Sequence, residues 1–187
     1  MVILSIICHY IKQIVLLRLK RNNNTEHLSF MENLDSIDIE ILSILQDNAK
    51  ITHKEIAEQL NLSRTPIFER IRKLERRGII QKYITILDRK KIDRNLMVFC
   101  FVSLKEHGLE PVTQFQKTIS SYSQVMECYH IAGNFDFFLK VIVNTVDEYQ
   151  NFVLKSLSNI QNISNVQSSF VLGELKYQLK FDLKKKQ

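Results

Sequence analysis

A length of 187 residues leaves room for one large or two small domains, and 45% hydrophobic content excludes a disordered chain. The formal net charge of +6 is modest, so where the charges lie matters more than their sum. Three scattered cysteines (Cys8, Cys100 and Cys128), with no CxxC and no Cys/His cluster, argue against a disulfide framework and a structural metal site, and fit a reducing compartment.

Residues 2–17 are strongly apolar, but this run is shorter than the roughly 20 residues a membrane-spanning helix needs. His9, Lys12 and Gln13 interrupt it. Positive charges follow it rather than precede it, unlike a secretory signal. A membrane anchor and a peripheral amphipathic helix stay open as readings. The preferred one treats residues 1–31 as an extension with a polar linker over 20–30 and Met31 as the true start. No membrane partner is expected, and the location expected is cytoplasmic.

Residues 32–80 read as three helices. Ile37, Ile41, Leu42, Ile44 and Leu45 have helical spacing, with Asp35 or Ser36 placed to cap the first. Thr52 followed by Glu55 forms a capping box for the second, which turns Ile56, Ala57 and Leu60 inward. After the polar turn Asn61-Leu62-Ser63, Ser63 or Thr65 can cap a third helix with Pro66 in its first turn, and Ile67, Ile71 and Leu74 form its core stripe. Gly78 is placed to end it.

The pair of helices joined by this tight turn has the form of a helix-turn-helix over residues 36–78. Residues 63–94 hold eleven basic against four acidic side chains, a block suited to a phosphate-facing surface. The DNA-contacting set expected from this segment is Ser63, Arg64, Thr65, Pro66, Glu69, Arg70, Arg72, Lys73 and Arg76. Ser63 and Thr65 can bond phosphates or base edges, Arg64 can grip guanine in bidentate fashion, and the later cations bind phosphate. The competing reading is a plain three-helix bundle with a solvated basic face.

Residues 81–96 form a linker: Ile79 to Asp88 is rich in strand-forming residues and is expected to lead out as a strand, followed by the charged connector 89–96. Residues 97–187 then alternate. Strands are expected over 97–105, 125–131, 135–143 and 166–176, with helices from Glu110-Pro111 to Tyr122 and, capped by Asp147 with Gln150, to about Ile160. The order βαββαβ is a ferredoxin-like unit, so the fold class expected is α+β, a winged-type helix-turn-helix domain followed by a ferredoxin-like domain. Helices cover only one face of such a sheet, and a second copy can cover the other, which predicts a homodimer.

Three segments, LDSIDIEILSILQDNAKIT, LSRTPIFERIRKLERRGII and HIAGNFDFFLKV, resemble the Lrp/AsnC family over about residues 32–180. The resemblance implies a DNA-binding first domain, and a second domain that oligomerises to even-numbered assemblies and binds a small effector, an amino acid. It assigns the effector to Ile131, Ala132, Gly133, Asn134, Phe135 and Asp136. The family's loop usually carries a carboxylate where Asn134 stands. The replacement keeps hydrogen bonding and removes a charge, leaving Asp136 as the charged partner. From the residues alone, the same segment also reads as a hairpin turn with no ligand role.

His53, His107 and His130 lack metal-ligand spacing and read as surface or satisfied histidines. There is no G-x-S-x-G nucleophile motif and no glycine-rich phosphate loop, so neither catalysis nor a cofactor is expected. The alternative function is an amino-acid-sensing ferredoxin-like module that acts without DNA.

Overall fold

The computed structural model describes residues 34–183. The apolar run at 2–17, and with it the proposed start at Met31, lies outside the described residues. The described chain divides into two compact units, residues 34–85 with 177–183, and Ile86–Lys176.

The first unit holds three helices, α1 (Ser36–Asp47), α2 (His53–Gln59) and α3 (Arg64–Arg76). Local chemistry sets their ends. Asp35 caps α1 by accepting the Asp38 N–H at 2.8 Å. Thr52 and Glu55 form the expected capping box on α2: the Thr52 hydroxyl accepts the Glu55 N–H at 3.2 Å, and the Glu55 carboxylate accepts the Thr52 N–H at 2.7 Å. Those bonds hold the Glu55 carboxyl below its ordinary range, the Thr52 N–H foremost.

Gly78 ends α3 with φ +68°, a conformation glycine adopts without steric cost. Its N–H donates to the Glu75 carbonyl and that of Ile79 to the Leu74 carbonyl, the two bonds of a Schellman motif. Ile41, Ile56, Ile67, Ile71 and Leu74 form the buried centre where the three helices meet.

The second unit contains β1 (Leu96–Leu104), α4 (Leu109–Ile119), β2 (Val125–His130), β3 (Phe137–Val143), α5 (Val146–Lys155) and β4 (Ile163–Phe170). The sheet order is β2-β3-β1-β4 and every neighbouring pair is antiparallel. Each helix therefore joins two strands that are separated by a third, the split βαβ arrangement of a ferredoxin-like domain. Val98, Cys100, Val102 and Leu104 of β1, with Phe137, Leu139, Val141 and Val143 of β3, form one buried layer against Phe115, Ile119, Tyr149 and Phe152 of the helices. Within it Tyr149 Oη lies 2.8 Å from Cys100 Sγ and 2.5 Å from Ser168 Oγ, so no hydroxyl is left unpartnered there.

Several boundaries differ from expectation. Residues 79–88 form no strand; they have no ladder partner, and Ile84, Ile86 and Leu87 are exposed. A β-rich run becomes a strand only where a neighbour supplies main-chain bonds. Tyr83 instead donates its hydroxyl to Glu75 at 2.9 Å, and burial together with that carboxylate pushes its phenol up to about 12.

The last strand covers Ile163–Phe170 rather than 166–176. The α5 cap is Thr145, whose hydroxyl accepts the Glu148 N–H, not Asp147. Residues 177–183, expected within the second domain, belong to the first unit: the Gln46 side-chain amide exchanges two hydrogen bonds with the main chain of Phe181, and Leu183 lies against the helical core.

Candidate functional site

The expected DNA-contacting residues all fall on α3 or its cap. Ser63 is the N-cap residue, although its side chain makes no capping hydrogen bond, so its hydroxyl is not committed to the helix. Ile67, Ile71 and Leu74 fill the buried stripe. At 100° per residue, Thr65, Glu69, Arg72 and Arg76 point away from that stripe, with Arg64 and Lys73 flanking. Arg64, Thr65, Glu69, Arg72, Lys73 and Arg76 are all exposed, while Pro66 is half-buried in the first turn. The structure thus brings eight of the nine residues to one end or one outward face of a single helix.

Arg70 is the exception. Its guanidinium Nη1 donates to Asp35 Oδ2 at 2.6 Å and to Asp38 Oδ1 at 2.7 Å, clamping α3 to the start of α1. Asp38 is 3% exposed, the one buried charged residue among those described. The Asp38 N–H and, after it, Arg70 hold the Asp35 carboxyl below its ordinary range; the two carboxylates, Asp38 first, hold the guanidinium above its own. The signal was present in the spacing. Arg70 follows Ile67 by three residues and precedes Leu74 by four, which places it at the edge of the inward face.

The expected effector residues form the loop between β2 and β3, and all six lie together. Ile131 N–H donates to the Asp136 carbonyl at 2.8 Å, closing a six-residue loop rather than a tight two-residue hairpin. Gly133, at φ +149°, occupies a conformation that other residues rarely adopt. Ala132, Gly133 and Asn134 are exposed, whereas Ile131, Phe135 and Asp136 are half-buried.

Asp136 is anchored. Its Oδ2 accepts the Leu104 N–H at 2.7 Å and its Oδ1 lies 3.2 Å from His107 Nδ1. The charged partner expected of an effector is therefore held against the end of β1, with His107 beside it. Each carboxylate oxygen still has a second acceptor position. Phe135 continues onto the sheet face away from the helices, where Phe99, Phe101, Phe138 and Tyr129 form an aromatic cluster with ring centroids 5.1–6.0 Å apart. An open cleft of about 750 Å³ elsewhere in the second unit is lined by Lys105, Gln114, Tyr122 and Asn162 among others, and by none of the six loop residues.

Sequence reasoning missed three features: the Asp35–Arg70–Asp38 clamp, the placement of His107 against Asp136, and a contact between His53 of α2 and Phe68 of α3. The last two join residues far apart in sequence, and no spacing rule announces them. Among the described residues no group of three or more His, Cys, Asp or Glu is placed to hold a metal, and no helix is long and apolar enough to cross a membrane.

Residues 34–81 match the family of winged helix-turn-helix DNA-binding domains, and residues 97–180 match the Lrp/AsnC ligand binding domain. The chain is 33% identical over 142 residues to the Bkd operon transcriptional regulator of Pseudomonas aeruginosa, an alignment covering 76% of this chain and 93% of that protein. It is 32% identical over 143 residues to the leucine-responsive regulatory protein of Rhizobium meliloti, covering 76% and 92%. Among solved structures, a transcriptional regulator from Neisseria meningitidis in complex with L-Met superposes with a TM-score of 0.77 at 30% identity, over 80% of this chain and 97% of that one. An AsnC family regulator from Agrobacterium tumefaciens gives 0.76 at 30% identity, over 80% and 97%. With a helix-turn-helix unit, a ferredoxin-like unit and these relatives matching both in order, the chain belongs to the Lrp/AsnC family of transcription regulators.

Proposed function

We propose that this regulator reads double-stranded DNA with α3, assembles as a homodimer and then as higher even-numbered oligomers through its sheet, and answers to an amino acid at residues 131–136. It acts in the cytoplasm and catalyses no reaction. The observation that carries the reading is the outward face of α3: six exposed side chains able to bond bases or phosphates, four of them cationic, on a helix whose opposite stripe is buried.

The roles follow from chemistry. The N-terminal turn enters the major groove, where Arg64 bonds guanine, Thr65 and the uncommitted Ser63 hydroxyl bond base edges or phosphates, and Glu69 accepts from cytosine. Pro66 fixes the first turn. Arg72, Lys73 and Arg76 neutralise phosphates and displace counterions. Arg70 is left out of this set because two carboxylates already hold it.

The aromatic cluster on the open sheet face supports assembly, since a second copy buries it and a two-fold pairing presents two reading helices to a palindromic site. At the loop, Asp136 is the anchor for an effector's ammonium group. The L-Met complex of the Neisseria relative supports an amino acid as the effector class.

The test is duplex binding by the full chain at several salt concentrations. Arg64→Ala is expected to lose at least about tenfold in affinity and to relax base choice at one position, whereas Arg76→Ala weakens all duplexes alike and lowers the salt slope by about 1. A wild-type chain that binds an amino acid but shows no preference among duplexes rejects the DNA role and leaves the sensing module.

A further inference from the structure

Phe68 needs an explanation that the core does not provide. It lies on α3 and is 39% exposed, and it is absent from the residues packed against the helical core, which Ile67, Ile71 and Leu74 already close. Its ring is nevertheless held. His53, the first residue of α2, meets it edge-on with ring centroids 5.4 Å apart and an interplanar angle of 63°. The Arg72 guanidinium carbon lies 5.0 Å from the ring centroid. A large apolar ring fixed on a charged, outward helix face offers one shape and one chemistry to whatever docks there.

We propose that Phe68, positioned by His53 and Arg72, reads the 5-methyl group of a thymine in the major groove. The inference rests on the reading of α3 as the DNA-contacting helix. Three observations select DNA over an apolar protein surface. Arg64 stands one turn before Phe68 and Arg72 one turn after, so the ring is bracketed by cations that attract a polyanion. Phe68 is the fifth residue of α3, close to the end that reaches base edges in this motif. The thymine methyl is the apolar group that a major groove presents among its donors and acceptors, and phenylalanine is one of the side chains suited to it. Arg72 then does two things: it neutralises phosphate and it covers one face of the ring. His53 supports the ring from α2, the helix that crosses the DNA backbone in this motif.

The experiment uses the full chain and a duplex chosen by selection from a randomised pool with the wild-type protein. Each thymine of that duplex is replaced in turn by deoxyuridine, which removes only the methyl group. At one thymine per half-site the wild type is expected to lose about fourfold in affinity, the worth of one buried methyl. Phe68→Ala should weaken the parent duplex by a similar factor and then ignore the uracil at that position, while both proteins respond alike at every other thymine. Phe68→Leu, still apolar, should keep part of the discrimination. Phe68→Ala gives up the ring's contacts with His53 and Arg72 and should melt slightly below wild type, while remaining folded at the temperature of the binding assay; Phe68→Leu should melt closer to wild type. Matching thymine-to-uracil profiles for wild type and Phe68→Ala overturn the proposal but leave the DNA role of α3 intact. If the wild type selects no sequence at all, the reading of α3 falls and this proposal falls with it.

Discussion

The outward face of α3 and the tip of the loop over 131–136 are both exposed, and both regions carry charge suited to a ligand, yet they spend that charge differently. On α3, one charged side chain of the expected set is turned to structural use: Arg70, committed to Asp35 and Asp38. In the loop the single carboxylate, Asp136, is already bonded to the Leu104 N–H and sits beside His107. A helix separates its two duties by angle, so a binding side chain and a packing side chain occupy different sectors of one element. A loop has no such division, and the residue that shapes it is the same one that would meet the effector.

The largest expected effect breaks the comparison at Arg70. Arg70→Ala leaves Asp38 buried without its charged partner, which costs about 2 kcal/mol, the usual loss for a charged hydrogen bond with one side removed. Arg76→Ala, on the exposed face, should leave stability within about 0.5 kcal/mol of wild type. Urea unfolding followed by helical circular dichroism separates the two. Equal midpoints for both variants would remove the clamp.

Acid offers a second handle on the same site. The Asp35 carboxyl is held low by the Asp38 N–H first and Arg70 second. A group depressed in the folded state contributes stability above its unfolded value, near 4, and that contribution fades as pH falls through the lower folded value. Wild-type stability should therefore decline below about pH 4, and Asp35→Asn should flatten the decline.

At the loop, the prediction tests whether anchoring and sensing share one residue. Asp136→Ala removes the acceptor for the Leu104 N–H and should lower the melting temperature by an amount equivalent to about 1 kcal/mol. It should also abolish any amino-acid-dependent change in DNA affinity or assembly. Asp136→Asn keeps an acceptor oxygen and removes the charge. It should restore much of the stability without restoring the response, read by thermal shift across the amino acids. A response preserved in Asp136→Asn would assign the loop's carboxylate to structure alone.

How much of this could be read from the residues follows the same division. Helix ends written in side-chain chemistry were legible: Thr52 with Glu55, Asp35, and Gly78 with its Schellman bonds. So were the strand over 97–105, written in β-branched and aromatic residues, and the βαββαβ succession of elements along the chain. The strand expected over 79–88 failed because β-propensity describes fitness for a sheet and says nothing of whether a neighbour is present. The Asp136 anchor and the His53–Phe68 contact depend on which distant elements meet, a property of the folded chain rather than of any local window.

The smallest effects sharpen the contrast between the two units, because each contains one helix with a threonine cap. Thr52 shares a reciprocal pair of bonds with Glu55, whereas Thr145 accepts the Glu148 N–H while Glu148 turns its carboxylate to the N–H of Asn144. Replacing either threonine with alanine should cost about 1 kcal/mol. The losses should stay local: hydrogen exchange should quicken over α2 for Thr52→Ala and over α5 for Thr145→Ala. Only Thr52→Ala should also weaken duplex binding, because α2 carries His53 and backs the reading helix. If Thr145→Ala quickened exchange over α2 as well, the two units would open together, and the independence of the two caps would have to be abandoned.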